Sequence, residues 1–161
     1  MLQEYSRYRI LQEFFDAPRT NFHMRELSRN TKIAQPSMLN HLKALGKEGL
    51  VLREKKSIYP TYRANRDNEA FKIYKRLNMV VRMYESKMLD VIYDVCFPSV
   101  IILFGSASLG EDSEESDIDI FIGAPQKKLD LEKYEKVLKR KINPFFEENF
   151  QRLNNELKTI L

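Results

Sequence analysis

The sequence predicts an α+β protein of two domains, a helical domain closed by a hairpin and then a small domain built on a mixed sheet. Three observations carry this. In the first third, apolar residues recur at helical spacing, and two short extended runs follow them. The last third alternates strand-like and helix-like segments. Charge is divided between the ends: residues 1–66 hold 13 Lys/Arg against 6 Asp/Glu, residues 67–96 hold 5 of each, and residues 97–161 hold 9 against 12. The expected division is therefore 1–66, a helical linker over 67–96, and 97–161.

Composition narrows the class. With 43% hydrophobic and 31% charged residues over 161 positions, the chain can build globular cores. A single Cys excludes an internal disulfide framework and a cysteine-based zinc site. No run approaches the roughly 18 apolar residues that cross a bilayer, so no membrane partner is expected. MLQEYSRYRI is too polar for a signal peptide, and a cytoplasmic location is the expectation.

The elements follow in order. Over 4–15, Tyr8, Leu11, Phe14 and Phe15 fall at helical spacing, and Asp16-Ala17-Pro18 ends that helix because proline cannot extend the backbone ladder. Asn21 to Met24 fits a brief strand. A second helix runs from Arg25 to Asn30, and Thr31 to Gln35 turns the chain. Pro36 opens a third helix, where its missing N–H costs nothing. Gly49 is placed to cap its end. Met38, Leu39, Leu42 and Leu45 take the inner side of this helix. Ser37, Asn40, Lys43, Ala44 and Lys47 take the outer side, with His41 at the flank. Leu50–Arg53 and Tyr59–Arg63 bracket the basic tip Glu54-Lys55-Lys56-Ser57, which is a hairpin signal.

Residues 67–95 read as a long helical stretch that a break could interrupt. Phe71, Tyr74, Leu77, Val81, Tyr84, Met88, Val91 and Val95 form its apolar stripe. Met79, Met83 and Met88 are expected to fill core rather than bind a ligand. Phe97-Pro98 ends the stretch. Ser99–Phe104 is continuously apolar, so it is expected to be a strand buried on both faces. Ile118–Ile122 is a second strand and Leu129–Lys141 a charged amphipathic helix. Ile142–Phe146 is a third strand and Asn149–Leu161 a final helix.

Residues 22–64 resemble the winged helix-turn-helix family. The pattern RELSRNTKIAQPSMLNHLKALGKEGLV and the hairpin closing on YRAN carry the likeness. A major groove admits an α-helix whose outward side chains reach base edges. The resemblance therefore implies double-stranded DNA as partner. Ser37, Asn40, His41, Lys43 and Lys47 would lie on the reading helix with Gln35 near its start. Arg25 and Arg29 would meet phosphates, and Lys55 and Lys56 would stand at the wing tip. The same fold also serves protein interaction; the excess of positive charge favours DNA.

The last third holds the sharpest motif. A strand ends in Gly105-Ser106, Gly110 follows, and Ser116-Asp117-Ile118-Asp119 opens the next strand. A chain turning at Gly-Ser offers backbone N–H groups and a hydroxyl to an anion. Two aspartates at i and i+2 share a strand face, and such a pair is best explained by a divalent cation. The pattern resembles the DNA polymerase β-like nucleotidyltransferase superfamily, and within it the minimal nucleotidyltransferase domains. That resemblance implies Gly105, Ser106, Gly110 and Ser116 as nucleotide-binding residues. It implies Asp117 and Asp119 as the catalytic pair holding Mg²⁺, with an NTP, ATP being the expected one. Active members use a third carboxylate on a following strand, and the matching position here is Asn143, with Pro144 beside it. Glu147 is the candidate substitute further along. Gly110–Glu115 reads as a mobile loop with solvated acids, or with Glu114 and Glu115 near the metal.

Two functions fit. One is a DNA-binding transcriptional regulator with a nucleotide-binding, catalytically degenerate second domain. The other is an active nucleotidyltransferase moving NMP from an NTP to a hydroxyl on a protein partner or small molecule, an antitoxin-like activity. A scaffold with neither activity is a third. A homodimer is expected, because helix-turn-helix proteins pair to read two half-sites and the Tyr74–Val95 helix has apolar surface to offer.

Overall fold

The computed structural model describes residues 5–55 and 58–149, and the chain divides into two compact units, Met1–Lys75 and Arg76–Leu161.

In the first unit, α1 (Ser6–Asp16) buries Ile10, Leu11, Phe14 and Phe15. Leu11, Phe14 and Phe15 face inward as expected, with Ile10 fully buried beside them and Tyr8 only half-buried. β1 (Phe22–His23) leads into α2 (Met24–Thr31), whose first turn is closed by the Glu26 carboxylate accepting from the His23 backbone N–H at 3.4 Å. Lys32, with φ at 55°, ends α2. α3 (Gln35–Lys47) has Pro36 in its first turn. It ends on Gly49 as expected: Gly49 takes φ at 74° and donates to the Gly46 carbonyl, while Leu50 donates to that of Leu45. Those two bonds make a Schellman stop, which needs a residue free to adopt positive φ.

The wing is β2 (Val51–Glu54) against β3 (Thr61–Ala64), paired from Val51 with Ala64 to Glu54 with Thr61. β1 adds to the other side of β3, giving the order β1-β3-β2. The core beneath holds Phe14 edge-on to Phe22 at 5.4 Å, and Phe15 against Phe71 at 5.2 Å. Leu39 was expected inside but lies on the outer flank of α3, 36% exposed, because Met38, Leu42 and Leu45 already fill the inner face.

α4 (Glu69–Glu85) begins where the Asn68 side chain accepts from the Phe71 N–H at 3.0 Å, an N-cap. It breaks from α5 (Met88–Cys96) at Lys87, which takes φ at 64°. The expected apolar stripe holds at Phe71 and Met88 but fails at half of its positions. Tyr74, Leu77, Tyr84 and Val95 are exposed, whereas Phe71, Lys75, Asn78, Met79, Met83, Met88, Ile92 and Cys96 are buried. The three methionines are core, as expected.

In the second unit, β4 (Ile101–Phe104) passes directly into the short α6 (Gly105–Leu109), and β5 (Ile118–Ile122) follows. α7 (Glu132–Leu138), shorter than its expected span, leads to β6 (Ile142–Phe146). The sheet order is β4-β5-β6, antiparallel between β4 and β5 and parallel between β5 and β6, so the sheet is mixed. Ile118, Ile120 and Ile122 of β5 are fully buried against Met88, Ile92 and Leu138. β4, expected to be buried on both faces, is an edge strand with all four residues only half-buried. The centre belongs to β5. The expected helix over 149–161 lies outside the described residues beyond Asn149.

Pro144 breaks no ladder bond. Ile118 donates to the Lys141 carbonyl and Glu147 donates to the Ile122 carbonyl. In a parallel pair alternate residues face the partner strand, so 141, 143, 145 and 147 turn their peptide groups to β5. Residues 142, 144 and 146 turn theirs to the outer edge, where proline is tolerated.

Candidate functional site

The outer side of α3 is assembled as the spacing indicates. Gln35, Ser37, Asn40, Lys43 and Lys47 are all exposed along it, and His41 is half-buried at the flank. Arg25 and Arg29 are exposed one turn apart on α2, and Lys55 is exposed just past β2. Lys56 lies outside the described residues. Two further groups join this surface that the sequence did not single out, Arg53 on β2 and Tyr59 before β3, both exposed. They face α2 and α3 across a cavity of about 680 Å³ that Leu39 and Tyr62 also line. Only the folding back of the wing brings these elements together, so no local pattern could reveal it.

In the second unit the Gly-Ser turn and the Asp-x-Asp strand come into contact. Gly105 is the first residue of α6 and takes φ at 68°. A Cβ placed there would lie 2.5 Å from the Asp119 Oδ2 atom. Glycine is therefore required twice, by the backbone and by the carboxylate packed over it. Ser108 Oγ donates to the Gly105 carbonyl at 2.8 Å, and Glu111 N–H donates to that of Ser106, which fixes the turn. Gly110, at φ 72°, ends α6 and is buried.

Asp119 lies in β5 opposite Phe104 on one side and Asn143 on the other. The Asn143 amide nitrogen donates to Asp119 Oδ1 at 3.0 Å. Asp117 stands exposed just ahead of β5. Ser116 Oγ accepts from the Ser113 backbone N–H at 2.9 Å, so it closes the loop before Asp117.

The middle of that loop is less solvated than expected. Asp112 and Ser113 are each only 4% exposed, and Asp112 faces Arg140 across a buried ion pair of 3.9 Å. Burying such a pair is costly unless each partner is held, so the loop is anchored to the start of β6. Glu111 and Glu115 are exposed as expected. A cavity of about 450 Å³ opens beside Asp117, lined among others by Glu114, Glu115, Lys139 and Lys141.

Glu147 does not reach the carboxylate pair. It follows β6 and bonds to Ile122, four residues along the strand from the Asp119–Asn143 level, or about 13 Å at the strand rise. Among the described residues, no group of three or more His, Cys, Asp or Glu side chains is placed to hold a metal ion. No described helix is long and apolar enough to cross a membrane.

Comparison with known families agrees with both halves of this geometry. Residues 90–159 match the nucleotidyltransferase domain. Residues 6–52, from α1 into β2, match the bacterial regulatory proteins of the arsR family. No curated protein and no solved structure matches the chain. The chain thus joins an N-terminal segment similar to the arsR-family helix-turn-helix to a C-terminal segment similar to the nucleotidyltransferase domain.

Proposed function

We propose that the protein is a cytoplasmic DNA-binding transcriptional regulator whose nucleotidyltransferase domain binds a Mg²⁺-nucleotide without transferring it. The observation that carries the second half of this reading is the Asn143–Asp119 hydrogen bond. The strand position level with Asp119, where a third carboxylate is expected, holds an amide. An amide cannot take a proton from an attacking hydroxyl, and it is a weak metal ligand beside a carboxylate.

The donor set fits one ion. Asp117 and Asp119 would hold Mg²⁺ through two carboxylates, the hard oxygen ligands it takes. When bound, the ion supplies charge neutralisation at the phosphates. Gly105 and Ser106 present backbone N–H groups and a hydroxyl to the triphosphate, while Gly110 and Ser116 hold the ends of the intervening loop. Asn143 steadies Asp119 and leaves the second-ion position without an anionic ligand.

On DNA, Asn40, Ser37 and Gln35 read base edges in the major groove, with His41 beside them. Lys43, Lys47, Arg25 and Arg29 meet phosphates, and Lys55 reaches them from the wing. A homodimer places two such helices on two half-sites. Supporting it, α4 leaves Ile73, Leu77, Val80 and Tyr84 exposed along one side, a spacing of four, three and four that suits a second helix.

An active enzyme is the second reading. It is favoured by Glu114 and Glu115 lining the cavity beside Asp117, from which a carboxylate could serve in place of Asn143.

The test is incubation with Mg²⁺ and α-labelled NTPs, alone and with cell extract, beside an Asp117→Asn/Asp119→Asn control. The expected result is nucleotide bound by the wild type, lost in the control, and no label transferred. Label on any acceptor, absent in the control, establishes the enzyme instead. For the DNA half, Lys43→Ala should weaken duplex binding uniformly across sequences and lower the salt slope by about one. A slope unchanged from wild type counts against Lys43 as a phosphate contact.

A further inference from the structure

We infer that the cavity between α2, α3 and the wing is a binding site for a small aromatic anion, and that its occupant and DNA exclude one another. The cavity, of about 680 Å³, falls in the range of about 300–1,000 Å³ that holds small molecules. Arg25 and Arg29 reach it from α2 and Arg53 from β2. Among the described residues none of these three guanidiniums is ion-paired. Glu26 is the one acid in the lining, and its carboxylate is turned to the His23 backbone N–H. The cavity therefore carries a net positive charge over an apolar base of Leu39 and Tyr62, with Tyr59, 66% exposed, at its side.

A duplex backbone suits only half of this. Its phosphates can touch the guanidiniums, but a phosphodiester chain has no apolar body to cover Leu39 and the tyrosines. An aromatic ring bearing a carboxylate, sulfonate or phosphate satisfies both. The guanidiniums bind the anion in their planar fork, and the ring packs on tyrosine. Arg25 and Arg29 are also the proposed phosphate contacts from α2. One anion on them denies them to the other, so each ligand lowers the affinity of the second by the same factor. The exclusion rests on the DNA-binding reading; the cavity's own chemistry does not.

The experiment uses the full chain and 8-anilinonaphthalene-1-sulfonate, an aromatic sulfonate whose fluorescence rises on binding. Saturable binding is expected, weakened about tenfold by Arg29→Gln and by Arg53→Gln, each removing a charge-assisted bond. Both residues are exposed, and circular dichroism checks that the variants fold. Leu77→Ser, on the exposed side of α4, should leave dye binding unchanged. Equal dye binding by wild type and both arginine variants, or loss of the signal in Leu77→Ser, overturns the site. A mixed-sequence duplex at low salt should displace the dye from wild type. Dye and duplex bound together overturns the exclusion. Failure to bind duplex at any salt removes the DNA reading and the exclusion with it, while the arginine variants still decide the cavity.

Discussion

The first unit carries its candidate function on side chains that stand apart, whereas the second builds it from groups that touch. Ser37, Asn40, Lys43 and Lys47 project from one helix, each free to make its own contact. Gly105, Asp119 and Asn143 come from α6, β5 and β6 and press on one another. A surface of separate contacts loses affinity by degrees when one is removed, because phosphate contacts add. A site of touching groups should change character with one substitution. Asn143 is also held in place by the pairing of β6 with β5.

The sharpest way to break the comparison is to unfold one unit and ask whether the other works. Phe14 is fully buried and packs on Phe22. Phe14→Ala should cost about 3–5 kcal/mol in the first unit. Duplex binding should fall while nucleotide binding in the second unit persists, read by anisotropy and calorimetry on the same sample. Loss of both would mean the units depend on each other to fold.

Gly105→Ala should act more narrowly. Positive φ and the Asp119 carboxylate at 2.5 Å both oppose a methyl group there, at a cost of about 1–3 kcal/mol. Nucleotide binding should be lost and duplex binding kept. Full nucleotide binding by this variant would remove the turn from the site.

Asn143→Asp sharpens the contrast in the other direction. It replaces a hydrogen bond with two facing carboxylates, so the metal-free protein should lose about 1 kcal/mol. Added Mg²⁺ should restore that loss, and denaturant midpoints with and without the ion will show it. Midpoints insensitive to Mg²⁺ would mean that position 143 does not face the ion.

The smallest expected effect lies at Glu135. Its carboxyl is held below the ordinary range, first by the hydrogen bond from the Ile142 backbone N–H and then by Lys141, against a partial desolvation that pushes it up. A carboxyl lowered in the folded state stabilises above its unfolded pKa, about 4.3, and that contribution fades as pH falls through the folded value. Glu135→Gln should therefore show a shallower loss of stability below about pH 4.3 than wild type, measured by denaturant midpoints across the acid range. Parallel profiles would refute it.

The sequence was most legible where a local pattern decides the outcome. β5 runs from Ile118 to Ile122 as the alternation indicates, and the Gly49 stop needs only one residue type in one place. The Gly-Ser turn and the Asp-x-Asp strand were also legible, and the structure brings Gly105 against Asp119. α4 was not legible, because it carries two competing apolar stripes. Ile73, Leu77, Val80 and Tyr84 form as good a stripe as Phe71, Met79 and Met83, and the buried Lys75 and Asn78 favour neither. β4 misled for a related reason: an apolar run does not say whether a strand is central or at an edge. Arg53 and Tyr59 were missed because their cavity exists only once the wing folds back on α2 and α3.

The outer edge of β6 bears on how copies of this protein behave when crowded. Of its outward-facing peptide groups, Pro144 has no hydrogen to give, and the Ile142 N–H is held by Glu135 at 3.0 Å. At 142 and 144, two of the three outward positions, an incoming strand from another molecule would find one donor engaged and one missing, which is how open sheets resist edge-to-edge aggregation. Half of that guard is permanent and half is a carboxylate, so acid weakens only the part at Ile142 and leaves the proline on watch.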